Sequence, residues 1–278
     1  MEQLEGRVAV ITGGGSGIGE GFARVCHEAG MRVVVSDIEE DQAARVANSI
    51  RELGGEAIGL RADVSDAASV GELADRAYEE FGEVNLLCSN AGVMMVAPLL
   101  ETPIEDWQWT LGVNLYGAIY CANAFAPRMR EQDGEGHIVF TASIAGTRPI
   151  HETPIGVYVS SKYAVVGFAE TLRSELEPDG IGVSILCPGG VDTQIFTATR
   201  NRPEELGGPA ELPPAAEARV AEREELVEVD PAMDPVVVAR RTIEGVRANR
   251  LFIFSHPDTR PDYEQRNARV IADYDAVS

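Results

Sequence analysis

Residues 8–19 read Val8-Ala9-Val10-Ile11-Thr12-Gly13-Gly14-Gly15-Ser16-Gly17-Ile18-Gly19, and this stretch decides the fold. It joins a continuous apolar run, typical of a strand buried on both faces, to a glycine-rich turn. A helical pattern of apolar residues follows as far as Gly30, and a second apolar run at 31–36 ends at Asp37. The order strand, turn, helix, strand predicts a βαβ unit of about 30 residues.

The glycine turn suits the pyrophosphate of a dinucleotide. Glycine tolerates positive φ and lets the backbone approach a phosphate closely, while the following helix offers free N–H groups and a positive dipole end. Asp37 is placed to accept hydrogen bonds from both hydroxyls of the adenosine ribose and would repel a 2′-phosphate. No Arg or Lys stands at Ser16 or Ile38, where it could meet that phosphate. The pattern therefore predicts dinucleotide binding, with NAD favoured over NADP.

The rest of the chain alternates strands and helices. We predict strands at 57–61, 84–89, 137–142, 182–187 and 251–254, and helices at 41–53, 67–81, 156–176 and 236–249, with a further helical region after Pro103 that carries Asn114. Alternation this regular predicts an α/β fold with a doubly wound parallel sheet of about seven strands and helices on both faces. Because ligands bind at the carboxyl ends of such strands, one rim should be lined by Gly13, Asp37, Asp63, Asn90, Ser143 and Pro188.

Residues 193–234 interrupt this alternation with a stretch rich in Pro, Glu and Ala. Such a stretch is either a mobile insertion or a substrate lid, and its position directly after a rim strand favours the lid. Part of residues 215–227 could form a helix. Within the C-terminal tail at 258–278, residues 263–274 look helical and could pack on a partner subunit. We find no internal repeat and expect a single domain over residues 1–278.

The composition restricts the class of protein. A formal net charge of −22 argues against nucleic acid and against an anionic membrane surface. The N-terminus lacks a signal-peptide pattern, and no apolar run reaches the roughly 18 residues of a membrane span, so we expect a cytoplasmic protein. The four cysteines and four histidines have no ligand or C-x-x-C spacing, so neither a metal site nor a disulfide framework is expected.

Tyr158 and Lys162 form the most informative pair outside the glycine turn. They are i and i+4 on the predicted helix at 156–176, so they project from one face. The cation favours the phenolate and should lower a tyrosine pKa that starts near ~10. We therefore expect Tyr158 to exchange a proton near neutral pH. The alternative is a surface Tyr–Lys pair without chemical consequence.

Together these motifs resemble the short-chain dehydrogenase/reductase family, in its short single-domain branch. The resemblance extends from Val8 to about Pro257 and implies a single-domain Rossmann fold. The residues that carry it are Thr12-Gly13-x-x-x-Gly17-x-Gly19, Asp63-Val64, Asn90-Ala91-Gly92-Val93, Asn114, Ser143, Tyr158-x-x-x-Lys162 and Pro188-Gly189.

The resemblance implies a role for each motif residue. Tyr158 would be the general acid/base, Lys162 would hold the nicotinamide ribose and lower the tyrosine pKa, Ser143 would orient the substrate oxygen, and Asn114 would hold a proton-relaying water. Each of three residues could instead have a structural role. Asn114 could be a buried amide with all of its hydrogen bonds made within the protein, Ser143 could cap a helix, and Asn90 could connect neighbouring strands. The residues implied to bind NAD are Gly13, Ser16, Gly17, Ile18, Gly19, Asp37, Ile38, Asp63, Val64, Asn90, Ala91, Gly92, Tyr158, Lys162, Pro188, Gly189, Val191 and Thr193.

The family chemistry is a direct hydride transfer between a carbinol carbon and nicotinamide, and with NAD the expected direction is alcohol oxidation. Family members are homo-oligomers, usually dimers or tetramers, and a homotetramer is expected. Two alternative functions are possible on the same fold. One is a non-catalytic NAD(H)-binding redox sensor, which needs no proton relay, and the other is an epimerase or dehydratase. The intact set Asn114, Ser143, Tyr158 and Lys162 favours the dehydrogenase.

The substrate pocket looks apolar. The interval between Ser143 and Tyr158 is longer than in the family, and the extra loop at 148–153 should stand beside the substrate. His151 could touch the substrate or lie in solvent, and Arg148, the nearest cation, could simply face solvent. We expect a hydrophobic secondary alcohol or ketone, such as a cyclic, aryl or terpenoid-like compound, bound by Ser143, Met94, Met95, Ile150, His151, Ile155, Tyr158, Ile195 and Phe196.

Overall fold

A computed structural model describes residues 1–151, 153–209 and 232–277. These residues contain a seven-stranded parallel sheet with the strand order β3-β2-β1-β4-β5-β6-β7. The predicted fold class is confirmed. The strands are β1 (Val8–Thr12), β2 (Arg32–Asp37), β3 (Ala57–Arg61), β4 (Leu86–Ser89), β5 (Gly136–Thr141), β6 (Ile181–Cys187) and β7 (Phe252–Phe254).

The strand order reverses at β1, which positions the ligand cavity. Strand β1 pairs with β2 on one side, where Thr12 is in register with Ser36. It pairs with β4 on the other side, where Ile11 is in register with Cys88. The chain after β1 and the chain after β4 therefore leave the sheet in opposite directions. A crevice opens between them at the carboxyl ends of the strands.

The helices cover both faces of the sheet. Strand β1 illustrates the division, because Val10 belongs to one buried cluster and Ile11 to the cluster on the opposite face. Helices α3, α5 and α6 pack on the Val10 face, and α1, α2 and α7 on the Ile11 face. The helices described are α1 (Gly17–Glu28), α2 (Glu40–Glu52), α3 (Ala67–Phe81), α4 (Ile104–Leu111), α5 (Gly117–Glu131), α6 (Gly156–Leu176), α7 (Pro235–Arg247) and α8 (Arg260–Asp275).

Besides shifts of one or two residues at other element ends, two local features differ from the sequence prediction. Strand β4 begins at Leu86 rather than Val84, because the Gln132 side chain hydrogen-bonds both backbone groups of Val84, at 3.2 and 2.8 Å. The helical region that carries Asn114 is divided, with a π-helical turn at Gly112–Tyr116 between α4 and α5. Such turns widen a helix locally and often occur at functional sites.

The segment after β6 and the C-terminal tail are partly as predicted. Residues Ile195–Asn201 and Glu204–Leu206 form 3₁₀ turns beside the cavity. The remainder of the predicted lid, 210–231, including the helix considered at 215–227, lies outside the described residues. The tail is helical as predicted, and none of the residues of α8 is buried.

Within the described ranges, no helix has the length and apolar character that crossing a membrane requires. In the same ranges, no group of three or more His, Cys, Asp and Glu side chains is arranged to hold a metal ion.

Candidate active site

A cavity of about 960 Å³ opens at the carboxyl ends of the strands. Its walls include the strand-end residues that the alternation of strands and helices predicts for one rim. Gly13 follows β1, Asp37 ends β2, and Ser143 comes shortly after β5. The predicted rim is therefore confirmed for all of its members, which are Gly13, Asp37, Asp63, Asn90, Ser143 and Pro188.

The glycine turn forms a cradle that side chains would fill. Gly13 and Gly17 have φ of +62° and +51°, in the left-handed region that favours glycine. A Cβ atom on Gly17 would lie 2.9 Å from Cγ2 of Thr193, across the mouth of the cavity. Ser16 precedes α1 and makes no side-chain cap, so the first N–H groups of α1 remain available to an anion. This cradle fits a pyrophosphate.

Gly19 is the exception among the predicted phosphate-loop residues. It does not line the cavity and is buried. A Cβ atom there would lie 1.9 Å from the carbonyl oxygen of Gly13. The absence of a side chain therefore serves the packing of α1 against the turn, and the contact of Gly19 with the cofactor stays a prediction.

Asp37 forms the far end of the cavity. Its Oδ2 accepts a hydrogen bond from the backbone N–H of Gly15 at 2.9 Å, and its Oδ1 accepts one from Glu39 at 3.0 Å. Burial raises the pKa of this carboxyl group, and the two backbone donors oppose that effect. Each oxygen keeps a further lone pair for a ligand hydroxyl. Ile38, Asp63 and Val64 line the same end of the cavity.

Arginines surround this end, which the sequence analysis missed. Arg45 donates to the Gly15 carbonyl oxygen at 2.8 Å and pairs with Glu20 at 2.7 Å. Arg24 also pairs with Glu20, and Arg200 approaches from the segment after β6. The Arg24–Glu20 pair has the local i, i+4 spacing within α1. Arg45 and Arg200 follow from no local pattern, because each pairs with an acid that only the fold brings close.

Tyr158, Ser143 and Lys162 meet on the cavity wall. The Ser143 hydroxyl lies close enough to Tyr158 to act on its pKa, and it accepts a hydrogen bond from the Ala145 backbone N–H at 3.1 Å. The Lys162 ammonium lies 5.5 Å from the centre of the Tyr158 ring and donates to the Thr141 carbonyl oxygen at 2.7 Å. Both side chains of the pair are buried, so the alternative of a surface Tyr–Lys pair is excluded.

The expected direction of the Tyr158 pKa shift is wrong for this structure. Burial raises the pKa of Tyr158 to about 12, and the Ser143 hydroxyl opposes this only in part. Burial also lowers the pKa of Lys162 to about 8. The charged form of each group loses solvation in this pocket, and that cost exceeds the attraction between them.

The hydrogen bonds of Asn114 and Asn90 are those expected if both residues have the structural roles considered as alternatives above. The Asn114 side chain accepts from the backbone of Val93 at 2.8 Å and donates to Val93 and to Ser161, each at 2.9 Å. It does not line the cavity. Asn90 lines the cavity, yet its amide bonds to Thr12 at 3.1 Å and to Thr141 at 3.1 Å tie β1 and β5 to the end of β4.

The substrate side of the cavity is apolar. Tyr158, Met94 and Ile155 form a buried cluster against which Ile150, Ile195 and Phe196 pack. All six line the cavity, as predicted.

Three residues considered for this wall lie elsewhere. Met95 packs with Trp109 and Ala198 in a separate cluster, because side chains alternate along the extended segment after β4. His151 is exposed and does not line the cavity. Arg148 does not line it either and pairs with Asp262 of α8 at 3.0 Å. The contacts of His151 and Met95 with substrate stay predictions, which their positions outside the cavity wall do not support.

Comparisons with known proteins agree with this geometry. A family model described as short chain dehydrogenase matches residues 7–204. A short-chain dehydrogenase/reductase from Burkholderia phymatum, solved in complex with NAD, is 38% identical with a TM-score of 0.91, over 98% of this chain and 97% of that one. A C alpha-dehydrogenase of a Sphingobium species is 32% identical over 98% of this chain and 87% of its own. The 1-deoxy-11-beta-hydroxypentalenate dehydrogenase of Streptomyces exfoliatus is 31% identical over 92% of this chain and 86% of its own.

Proposed function

This chain belongs to the short chain dehydrogenase family, and we propose that it is an NAD-dependent oxidoreductase acting on a hydrophobic secondary alcohol or its ketone. The observation that carries the proposal is the adjacent pair of Tyr158 and Ser143 hydroxyls beside the buried Lys162 ammonium. This pair lies where an apolar wall meets the dinucleotide cradle. A hydroxyl pair in that position can bind a carbinol or carbonyl oxygen and move its proton.

The cavity has a complementary group for each part of NAD. The cradle at Gly13, Ser16, Gly17 and Ile18 would bind the pyrophosphate, and Asp37 the adenosine ribose. When bound, NAD accepts or donates the hydride. The other proposed cofactor contacts are Ile38, Asp63, Val64, Asn90, Ala91, Gly92, Lys162, Pro188, Gly189, Val191 and Thr193.

The protein's own residues handle the proton. In alcohol oxidation Tyr158 takes the hydroxyl proton of the substrate, and in ketone reduction it returns one to the carbonyl oxygen. Ser143 donates a hydrogen bond to the same substrate oxygen and orients it. Lys162 supplies the positive charge that stabilises the phenolate once the proton has moved. Asn114 is proposed to act by holding the Val93 backbone and Ser161, which is adjacent to Lys162 on α6.

The proposed substrate class rests on the wall that faces Tyr158. Met94, Ile150, Ile155, Ile195 and Phe196 offer aliphatic and aromatic surface, which favours a hydrophobic ligand. The nearby cation Arg148 is paired with Asp262 and is not part of the wall, which argues against a carboxylate-bearing group at that point. The names of two relatives denote dehydrogenases, one of them for a hydroxylated compound.

A panel of hydrophobic secondary alcohols and ketones tests the proposal. Absorbance of NADH is followed with each compound, NADP is run in parallel, and Tyr158→Phe is measured beside the wild type. We expect turnover of at least one compound with NAD and its loss in the variant. Tight binding of NADH without turnover across a broad panel would favour the non-catalytic sensor instead.

We also propose that the protein forms homo-oligomers, dimers or tetramers. A helix of 16 residues with no buried side chain, such as α8, gains little from its own chain. Ile271 and Tyr274 on it are 58% and 72% exposed. Light scattering of the full chain, and of a chain ending before α8, measures the assembly. A monomer at micromolar concentration would contradict this part of the proposal.

A further inference from the structure

Three consecutive residues tie the segment after β6 to two other elements of the chain. Arg200 Nε and Asn201 Nδ2 each donate to Oε1 of Glu39 at 2.7 Å, in the loop between β2 and α2. The next residue, Arg202, pairs with Asp106 of α4 at 2.6 Å. Glu39, Arg200 and Asn201 line the cavity, so this segment crosses over it near the adenosine end.

The two attachments differ in burial. The side chains of Arg202 and Asp106 are 10% and 6% exposed, whereas those of Arg200 and Glu39 are 38% and 30% exposed. Removing one partner of a buried ion pair leaves an uncompensated charge away from water, which is costly. A half-exposed pair exchanges its partner for water at low cost. The Arg202–Asp106 ion pair is therefore the more costly one to break, and the Arg200–Glu39 ion pair is the one that can break and re-form at low cost.

The same segment reaches the reacting groups at its other end. Ile195 and Phe196 belong to its first 3₁₀ turn and pack against the cluster that contains Tyr158. At the adenosine end, the Arg200 charge also acts on the Asp37 carboxylate. One short segment thus connects the ribose-binding carboxylate to the substrate wall.

We propose that Glu39 is a positioning residue of the cofactor site, which holds this segment across the bound dinucleotide so that NAD(H) exchanges only when its bonds to Arg200 and Asn201 break. This rests on the proposed function, since it requires NAD(H) in the cavity. It assigns to Glu39 a part in cofactor retention that is separate from the hydrogen bonding of the ribose by Asp37.

The dissociation rate of NADH from the full chain tests the proposal. NADH fluorescence is followed by stopped flow after mixing the complex with excess NAD, for the wild type, Glu39→Ala and Arg200→Met. Removal of either partner should accelerate dissociation about five- to tenfold. The matched control is Glu40→Ala, which removes a neighbouring exposed carboxylate and should leave the rate within twofold of the wild type.

The double variant Glu39→Ala/Arg200→Met separates a shared contact from two independent effects. If Glu39 acts through Arg200, the double variant dissociates NADH no faster than the faster single variant. Added salt should accelerate dissociation from the wild type and have less effect on the double variant, because the ion pair is screened. The proposal would be overturned if the double variant accelerated NADH dissociation by the product of the two single-variant factors. It would also be overturned if Glu39→Ala kept the wild-type dissociation rate and the wild-type thermal midpoint.

Binding of NADH to the wild type distinguishes a failure of this inference from a failure of the proposed function. Binding of NADH to the wild type with unchanged dissociation in Glu39→Ala refutes the role of Glu39 alone. Lack of NADH binding to the wild type refutes the proposed function, and the inference fails with it.

Discussion

The Lys162 ammonium lies 5.5 Å from the centre of the Tyr158 ring, and its hydrogen bond goes to the Thr141 carbonyl oxygen instead of the phenol. The i, i+4 spacing brings the two side chains together, as the sequence predicts. Burial then raises the pKa of Tyr158 to about 12 and lowers that of Lys162 to about 8. The chemistry of the pair therefore depends on the solvation of both groups as well as on their proximity.

The two directions of the reaction should have different pH dependences. Alcohol oxidation needs Tyr158 deprotonated, and because its pKa is raised, kcat/KM should rise with pH through the neutral range. Above about pH 8 the rise should flatten, since Lys162 loses its charge there. Ketone reduction needs Tyr158 protonated and should be nearly flat from pH 6 to 8. Steady-state profiles of kcat/KM in both directions measure this, and a flat oxidation profile would contradict it.

Tyr158→Phe should reduce kcat by roughly 10²–10⁴-fold with little change in NADH affinity. The substitution removes the proton-transferring hydroxyl group and keeps the ring that packs beside Ile155. Fluorescence titration with NADH and steady-state turnover measure the two quantities. Tyr163→Phe on the same helix is the matched control and should retain activity. Substantial turnover in Tyr158→Phe would assign the proton transfer to another group.

Asp37→Asn should weaken the preference for NAD over NADP by about tenfold or more in kcat/KM. The amide lacks the charge that repels a 2′-phosphate and offers only one acceptor oxygen to the ribose. Steady-state kinetics with both cofactors measure the ratio. Asp41→Asn removes an exposed carboxylate of α2 and should leave the ratio unchanged. A wild type that prefers NADP would refute the argument from Asp37.

His137 should make the protein acid-sensitive. Burial lowers the pKa of this histidine to about 3, while its Nε2 contacts Ser184 Oγ at 2.8 Å. Between the folded-state pKa of about 3 and the unfolded-state pKa of about 6.5, His137 is protonated in the unfolded chain and neutral in the folded chain. The free energy of unfolding therefore falls as pH falls, by about 1.4 kcal/mol per pH unit.

Urea unfolding from pH 7 to 4 measures this dependence. His137→Gln should be less stable than the wild type at pH 7 and lose less stability on acidification, because glutamine does not titrate. Parallel pH curves for the two proteins would contradict the assignment to His137.

Much of the fold was predictable because its signals are local. The apolar runs of β1 and β2, the glycines between them and the periodicity of α6 each lie within a short window of sequence. Strand ends share one rim in any parallel sheet, so Gly13, Asp37 and Ser143 could be assigned to one cavity before the structure was available.

The structure departs from the sequence-based expectations where packing decides the position of a residue. Gly19 is present for close packing against Gly13, and Met95 faces Trp109 because of the alternation of an extended segment. His151 lies in an inserted loop whose path no periodicity describes. In each case the residue type agrees with the proposed role, and only packing in the folded chain keeps the residue off the cavity wall.

The sequence by itself determined the parallel sheet, its carboxyl-end rim and the residues of the Tyr158 motif, because hydrophobic periodicity and turn chemistry act between near neighbours in the chain. Only the tertiary structure decided the pKa of Tyr158, the orientation of the substrate wall and the contact between Glu39 and Arg200, which are 161 positions apart. Desolvation and long-range ion pairs depend on everything that surrounds a group, and that environment exists only once the chain has folded.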